Sequence, residues 1–144
     1  MATTPSDTHV LGSVETDIVG IMRKIYIDEE VTPVHLKNES LMSIVEPLRR
    51  FLMLIERSDK SRIDLNEGSL QSFSIFELQV LFSIAGLRVE SEEVVQELLS
   101  NWLPRGATVI GLTLLNNIAR KLNDTGLPSF SMDNLQSNII HLTL

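Results

Sequence analysis

The sequence predicts an all-α protein, a single-domain bundle of about five or six helices around a central apolar helix. Three observations lead to this prediction. Apolar residues recur at helical spacing along most of the 144 residues, helix-capping residues precede several of these segments, and one segment is apolar on nearly every side. Hydrophobic residues make up 43% of the chain but aromatic residues only 5%, so Leu, Ile and Val supply most of the apolar mass. A lone domain of this size needs fewer aliphatic residues, and we expect another chain to cover part of the apolar surface.

The domain is expected to span residues 14–144, after a flexible N-terminal arm over residues 1–13. The arm is rich in Thr, Ser and Pro and has little to bury. From Val14 to about Asp28, apolar residues recur three or four apart and predict an amphipathic helix with Ser13 as its N-cap.

A second helix is predicted over residues 40–57, following a connector over residues 31–38. Pro47 lies within its apolar pattern and lacks an amide N–H, so we expect a kink or break just before it. In the broken version Pro47 falls in the first turn of the second piece, where proline is tolerated.

The central helix is predicted to start after Ser74. Ser74 and Glu77 have the S-x-x-E spacing of a capping box, and the residues from Leu78 to Ala85 are almost continuously apolar. A helix with apolar residues on nearly every side is expected to be buried on nearly every side. Gly86 is predicted to cap its C-terminal end.

Three further helices complete the prediction. Ser91 is expected to cap a helix that ends near Trp102. The next helix spans Thr108 to Asn123, with Val109 in its apolar stripe and Gly126 beyond it, and the last spans residues 131–144 with Ser131 as its cap. The alternative is an α+β fold with short strands near residues 109–115 and 138–144, where β-branched residues are frequent.

Charge and residue types exclude several classes of function. Asp and Glu outnumber Lys and Arg by 19 to 12, giving a net charge of −7, so we expect no nucleic-acid partner. The absence of Cys excludes disulfides, thiolate catalysis and Cys-ligated metals. The three histidines (His9, His35 and His141) stand apart from other metal-ligating residues, so neither a metal site nor a cofactor is predicted. No apolar run is long enough to cross a membrane, which predicts a soluble, cytoplasmic protein.

No catalytic or family motif is present, and we therefore predict a non-enzymatic protein–protein interaction or assembly subunit that associates with itself. A structural or accessory protein of a virus or phage would fit this profile. Partner contacts are expected from apolar residues near the two chain ends and from one Trp–Arg pair. These residues are Ile18, Ile25, Trp102, Arg105, Ile139 and Leu142. For Trp102 we prefer a core position, because its spacing from Leu98 and Leu99 places it on the inner stripe of its helix.

Two other functions remain open at this point. The first is a small enzyme whose acid–base residues converge only in three dimensions. The residues to inspect are Glu77, His35, Asp64 and Arg105. For Glu77 alone, we favour the capping box over catalysis. The second is a regulatory adaptor that binds an amphipathic helix in an open apolar groove.

Overall fold

The computed structural model describes residues 11–66, 72–128 and 130–143, which form six α-helices and two short 3₁₀ helices. The α-helices are α1 (Ser13–Tyr26), α2 (Val45–Ser58), α3 (Ile75–Arg88), α4 (Glu93–Trp102), α5 (Thr108–Thr125) and α6 (Met132–Thr143). The 3₁₀ helices, Pro33–His35 and Glu39–Ile44, connect α1 to α2. The all-α prediction is confirmed. Most of the predicted N-terminal arm lies outside the described residues.

The α+β alternative is wrong, because its two strand regions lie in α5 and, as far as residue 143, in α6. In α5 the buried positions Gly111, Leu115, Ile118 and Leu122 are three or four residues apart, which is the period of one helix face. The helix that carries this regular face is 18 residues long. Its pattern outweighs the local preference of the β-branched residues for strand.

Helix α1 covers most of the predicted segment and buries its apolar face in the core. Its N-cap is Gly12 rather than the predicted Ser13, and the Glu15 carboxylate accepts a hydrogen bond from the Gly12 N–H at 3.3 Å. The helix ends in a Schellman-type turn, in which the Glu29 N–H donates to the Lys24 carbonyl at 2.8 Å. The turn places Asp28 in the left-handed region, with φ of 60°.

The predicted break before Pro47 is confirmed. The 3₁₀ helix ends at Ile44, and α2 begins at Val45, so Pro47 lies in the first turn of α2. Its missing N–H would have had no partner within the helix at this position, and the break therefore costs no helical hydrogen bond. Helix α2 packs against α1 and α5 and buries Leu48, Phe51 and Ile55.

Helix α3 is the central element, in contact with α1, α4, α5 and α6. The capping box is confirmed: the Glu77 N–H donates to Ser74 Oγ at 3.0 Å, and the Ser74 N–H donates to the Glu77 carboxylate at 2.8 Å. The predicted end at Gly86 is wrong, because α3 continues to Arg88. A Cβ on Gly86 would lie 3.2 Å from the Ser91 carbonyl oxygen, so the glycine allows the following turn to approach closely.

The connection between α5 and α6 is held to the end of α3 by Arg88. Its guanidinium donates to the Asn123 side-chain oxygen at 2.8 Å, the Leu127 carbonyl at 2.7 Å and the Pro128 carbonyl at 3.0 Å. Burial lowers the pKa of Arg88, yet an arginine remains protonated under ordinary conditions. The guanidinium also lies 5.7 Å from the centre of the Phe130 ring.

The remaining capping predictions differ in outcome. Ser91 is not the cap of α4, which begins two residues later at Glu93. Gly126 ends α5 as predicted, with φ of 74°. Ser131 caps α6 as predicted, since its Oγ accepts a hydrogen bond from the Asn134 N–H at 3.1 Å. Among the described residues, no helix is both long and apolar enough to cross a membrane.

Candidate functional site

Glu77, the first acid–base candidate, is fully buried and saturated with hydrogen bonds. Its carboxylate accepts from Arg23 Nε at 2.8 Å and Nη2 at 3.0 Å, from the Ser74 N–H at 2.8 Å and from the Asn66 N–H at 3.3 Å. Arg23 also donates to the Ser72 carbonyl at 2.7 Å. These contacts give Glu77 a structural role, joining α1 to the start of α3.

The other acid–base candidates lie beside three different clefts. His35 borders a cleft along α1, where its Nδ1 is 3.1 Å from Thr32 Oγ1. Asp64 lines a cleft beside the segment that follows α2, and Arg105 lines a cleft between α4 and α5. No hydrogen bond or ion pair joins any two of these four candidates. Within the described ranges, no group of three or more His, Asp and Glu residues could hold a metal ion. His9 and the side chain of His141 lie outside the described part of the chain.

The residues predicted to contact a partner fall into two groups. Ile18, Ile25 and Trp102 are buried in the core of this chain. The ring of Trp102 packs edge-on against Phe51 and Phe76, with ring centres 6.0 and 5.2 Å apart, as its core spacing predicted.

The second group lies at or near the surface. Ile139 is half-buried against the core, Leu142 is 45% exposed and Arg105 is exposed. Of the six predicted residues, Arg105 is the one that lines a cleft with an apolar floor.

This cleft, which we call the α4–α5 cleft, has a volume of about 350 Å³ and lies where the two helices meet. Its lining residues are Lys60, Gln96, Leu99, Ser100, Leu103, Arg105, Thr108, Val109 and Leu112. Leu99 and Leu103 are buried and Leu112 is half-buried, so the floor is aliphatic. The hydroxyl groups of Ser100 and Thr108 already donate to backbone carbonyls, and no imidazole or carboxylate stands beside them to activate a nucleophile.

Local sequence explains how the cleft is shaped. The turn after α4 contains Pro104 and Gly106, and it closes with a hydrogen bond from the Ala107 N–H to the Pro104 carbonyl at 2.9 Å. Helix α5 then approaches α4 closely at Gly111. A Cβ there would lie 2.6 Å from Leu103 Cδ1 and 3.1 Å from Leu99 Cδ2. Because Gly111 has no Cβ, α5 can pack closely against Leu99 and Leu103 of the cleft floor.

The α4–α5 cleft is basic, although the chain as a whole carries a net charge of −7. Lys60 Nζ donates to the Ser100 carbonyl at 2.6 Å and to the Leu103 carbonyl at 3.4 Å. Both carbonyls lie at the C-terminal end of α4, where the helix dipole favours a cation. The side chain of Arg105 makes no hydrogen bond or ion pair with any described residue. None of the described residues that line the cleft is acidic, and neither cation forms an ion pair with a described carboxylate.

Two apolar side chains are exposed at the start of α5, where Val109 lines the cleft and Ile110 is its neighbour in sequence. Val109 is 70% exposed and Ile110 is 54% exposed. Val109 appeared in the sequence as part of the apolar stripe of this helix. The periodicity of the helix could have predicted that Val109 is exposed. Val109 is two residues from Gly111 and so points away from the face that Gly111 shares with Leu115.

The cleft therefore combines an aliphatic floor, two exposed apolar residues and two cations, without groups suited to covalent or acid–base chemistry. Such an arrangement can bind a surface that is apolar and acidic. Comparison with protein-family models, with curated proteins and with solved structures gives no match.

Proposed function

We propose that this chain is a non-enzymatic protein-interaction subunit that associates with itself through the α4–α5 cleft. The observation that carries the proposal is the exposure of Val109 and Ile110 beside an aliphatic floor. Covering such residues removes apolar surface from water, which stabilises an interface by roughly 25 cal/mol per Å² before the costs of association. A subunit of this kind would serve assembly, in the cytoplasm or within a viral or phage particle.

The placement of the acid–base candidates supports a binding role over catalysis. An enzyme of this size would need a nucleophile or base held near a second polar group in one cleft. Glu77 forms a buried ion pair with Arg23, and His35 and Arg105 line separate clefts.

Light scattering coupled to size-exclusion chromatography tests this proposal. At micromolar concentration we expect the wild type to have a molar mass above that of the 16.1 kDa monomer. The substitution Val109→Asp places a charge at the cleft edge, and we expect it to shift the protein to monomer. The matched control is Val34→Asp, at the most exposed large apolar residue in the described part of the chain, which lies in the first 3₁₀ helix and should leave the mass unchanged. A wild type that is monomeric across this range would refute self-association.

A second candidate function is an adaptor that binds an amphipathic helix of another protein. The observation that favours it is that the α4–α5 cleft is open to solvent in the described chain. A monomeric wild type that binds an acidic amphipathic peptide with a dissociation constant in the micromolar range by calorimetry would support this function instead. Loss of that binding in Val109→Asp, with binding retained in Val34→Asp, would assign it to the cleft.

A further inference from the structure

The opposite end of α4 has a surface of the complementary chemistry. At the turn from α3 into α4 two valines are exposed, Val89 at 59% and Val94 at 41%. Four exposed glutamates surround them. We call this surface the acidic corner, and it consists of Val89, Glu90, Glu92, Glu93, Val94 and Glu97.

The acidic corner has a fixed backbone. The Ser91 N–H donates to the Gly86 carbonyl at 2.8 Å, and the Glu90 N–H donates to the Leu87 carbonyl at 3.1 Å, which makes a Schellman-type turn. Glu90 adopts the left-handed conformation that this turn requires, with φ of 59°. A surface that is already ordered loses little conformational entropy when a partner covers it.

The glutamates of the corner are available to a cation from outside. None of them forms an ion pair with a described residue. Two guanidinium groups, those of Arg88 and Arg120, line the cleft that Val89 and Glu90 also border, and neither forms an ion pair with a described residue. Four carboxylates against two guanidinium groups leave the corner acidic.

The two surfaces match in both properties that decide an interface. The acidic corner offers two valines and four carboxylates, while the α4–α5 cleft offers Val109, with Ile110 exposed next to it in sequence, and the cations Lys60 and Arg105. The corner lies towards the N-terminal end of α4 and the cleft towards its C-terminal end, and the two adjoin at Gln96 and Glu97. Because both surfaces belong to one helix, one copy cannot fill its own cleft with its own corner.

We propose that the acidic corner of a second copy of this chain occupies the α4–α5 cleft. This inference rests on the proposed self-association and names the surface that fills the cleft. Two copies with antiparallel α4 helices would form the contact twice around a two-fold axis, because each helix then sets its acidic end against the basic end of the other. Opposite charges at such a contact guide the register and exclude other pairings.

A charge-swap experiment tests the contact. Arg105→Glu lowers the charge of the cleft from +2 to zero, because Lys60 stays in place. The double variant Glu93→Lys/Glu97→Lys leaves the corner with two carboxylates and two ammonium groups. Each side chain is exposed and makes no hydrogen bond or ion pair with a described residue, so both variants should fold like the wild type, as checked by circular dichroism. Lys60 is left in place, because it holds the end of α4.

Each variant alone is expected to associate at least tenfold more weakly than the wild type in sedimentation velocity, because the attraction between cleft and corner is lost at both copies of the contact. An equimolar mixture is expected to restore association, since the carboxylate introduced at residue 105 of one variant faces the ammonium groups introduced at residues 93 and 97 of the other. In the same mixture, the unchanged corner and cleft also match. The control is Arg50→Glu on α2, which changes the net charge as Arg105→Glu does and should leave association unchanged.

The outcomes separate this inference from the proposed function. A monomeric wild type overturns both. A wild type that associates and is disrupted by Val109→Asp, but not by either charge variant, keeps the proposed function and overturns the acidic corner as the occupant. Loss of association in both variants without recovery on mixing also overturns it, because the two surfaces then do not meet.

Discussion

The substitution Glu77→Gln removes one charge from a buried ion pair while keeping the shape of the side chain. The Glu77 side chain has no solvent exposure, and the side chain of its partner Arg23 is 12% exposed. The amide oxygen of Gln can still accept from the Ser74 N–H, so the capping box survives in part. The amide NH₂ group, however, is a donor and cannot accept from the Arg23 guanidinium, which stays charged and loses its carboxylate.

The expected loss is about 3 to 4 kcal/mol of unfolding free energy. Breaking a buried pair by neutralising one partner costs roughly 3–5 kcal/mol, because the other charge loses its opposite charge while it stays buried. Arg23 keeps its hydrogen bond to the Ser72 carbonyl, which places the estimate in the lower part of that range. For a chain of this length, about 3 kcal/mol corresponds to a decrease of roughly 10 °C in Tm.

Urea denaturation followed by circular dichroism at neutral pH measures the effect. The matched control is Glu46→Gln, which breaks exposed ion pairs with Arg49 and Arg50 on α2 and should cost under about 0.5 kcal/mol. A double-mutant cycle with Arg23→Met isolates the pair, and we expect the two losses to be strongly non-additive. A loss for Glu77→Gln equal to that of the control, or additive losses in the cycle, would refute the assignment of Glu77 as a buried structural carboxylate.

Four further substitutions probe the packing, and urea denaturation measures the change in unfolding free energy for each. Gly111→Ala is expected to destabilise the fold by about 1 kcal/mol net, because the added Cβ would lie 2.6 Å from Leu103 Cδ1. Gly20→Ala should stabilise the fold by up to about 1 kcal/mol, because its Cβ meets nothing within 4 Å. An equal effect at the two glycines would contradict the close approach of α5 to α4. Asp28→Gly should stabilise by about 1 kcal/mol, since glycine adopts the left-handed φ of 60° without strain, and a loss of stability there would count against the turn. Arg88→Lys should cost about 2–3 kcal/mol, because an ammonium cannot reproduce the three-acceptor arrangement of the guanidinium, and a neutral result would contradict it.

Local signals in the sequence predicted the fold well where structure depends on nearby residues. The capping box at Ser74 and Glu77, the break before Pro47 and the cap at Ser131 each involve groups within four residues of one another. Such contacts follow from backbone geometry alone. The all-α class follows in turn from apolar spacing that persists along the chain.

Features that depend on distant residues were not predicted. The partner of Glu77 is Arg23, 54 residues earlier, and nothing in the spacing of either residue identifies the other. Gly86 has the residue type of a helix cap, but its role is set by the approach of Ser91 after the helix has ended. Lys60 lines the α4–α5 cleft although it precedes Ser100 by about 40 residues, so the basic character of the cleft was not apparent from the local sequence.

The carboxylate of Glu77 couples a local helix signal to the docking of a distant helix. It receives hydrogen bonds from α1, from the segment at Asn66 and from the first turn of α3 at once. The carboxylate that completes the capping box of the central helix is therefore also the group that docks α1, and we expect the two helices to open together. Amide hydrogens at Ser74 and Glu77 are expected to exchange with solvent through global unfolding rather than local fraying. The chain should then unfold as one cooperative unit, with the start of its central helix among the last amides to exchange.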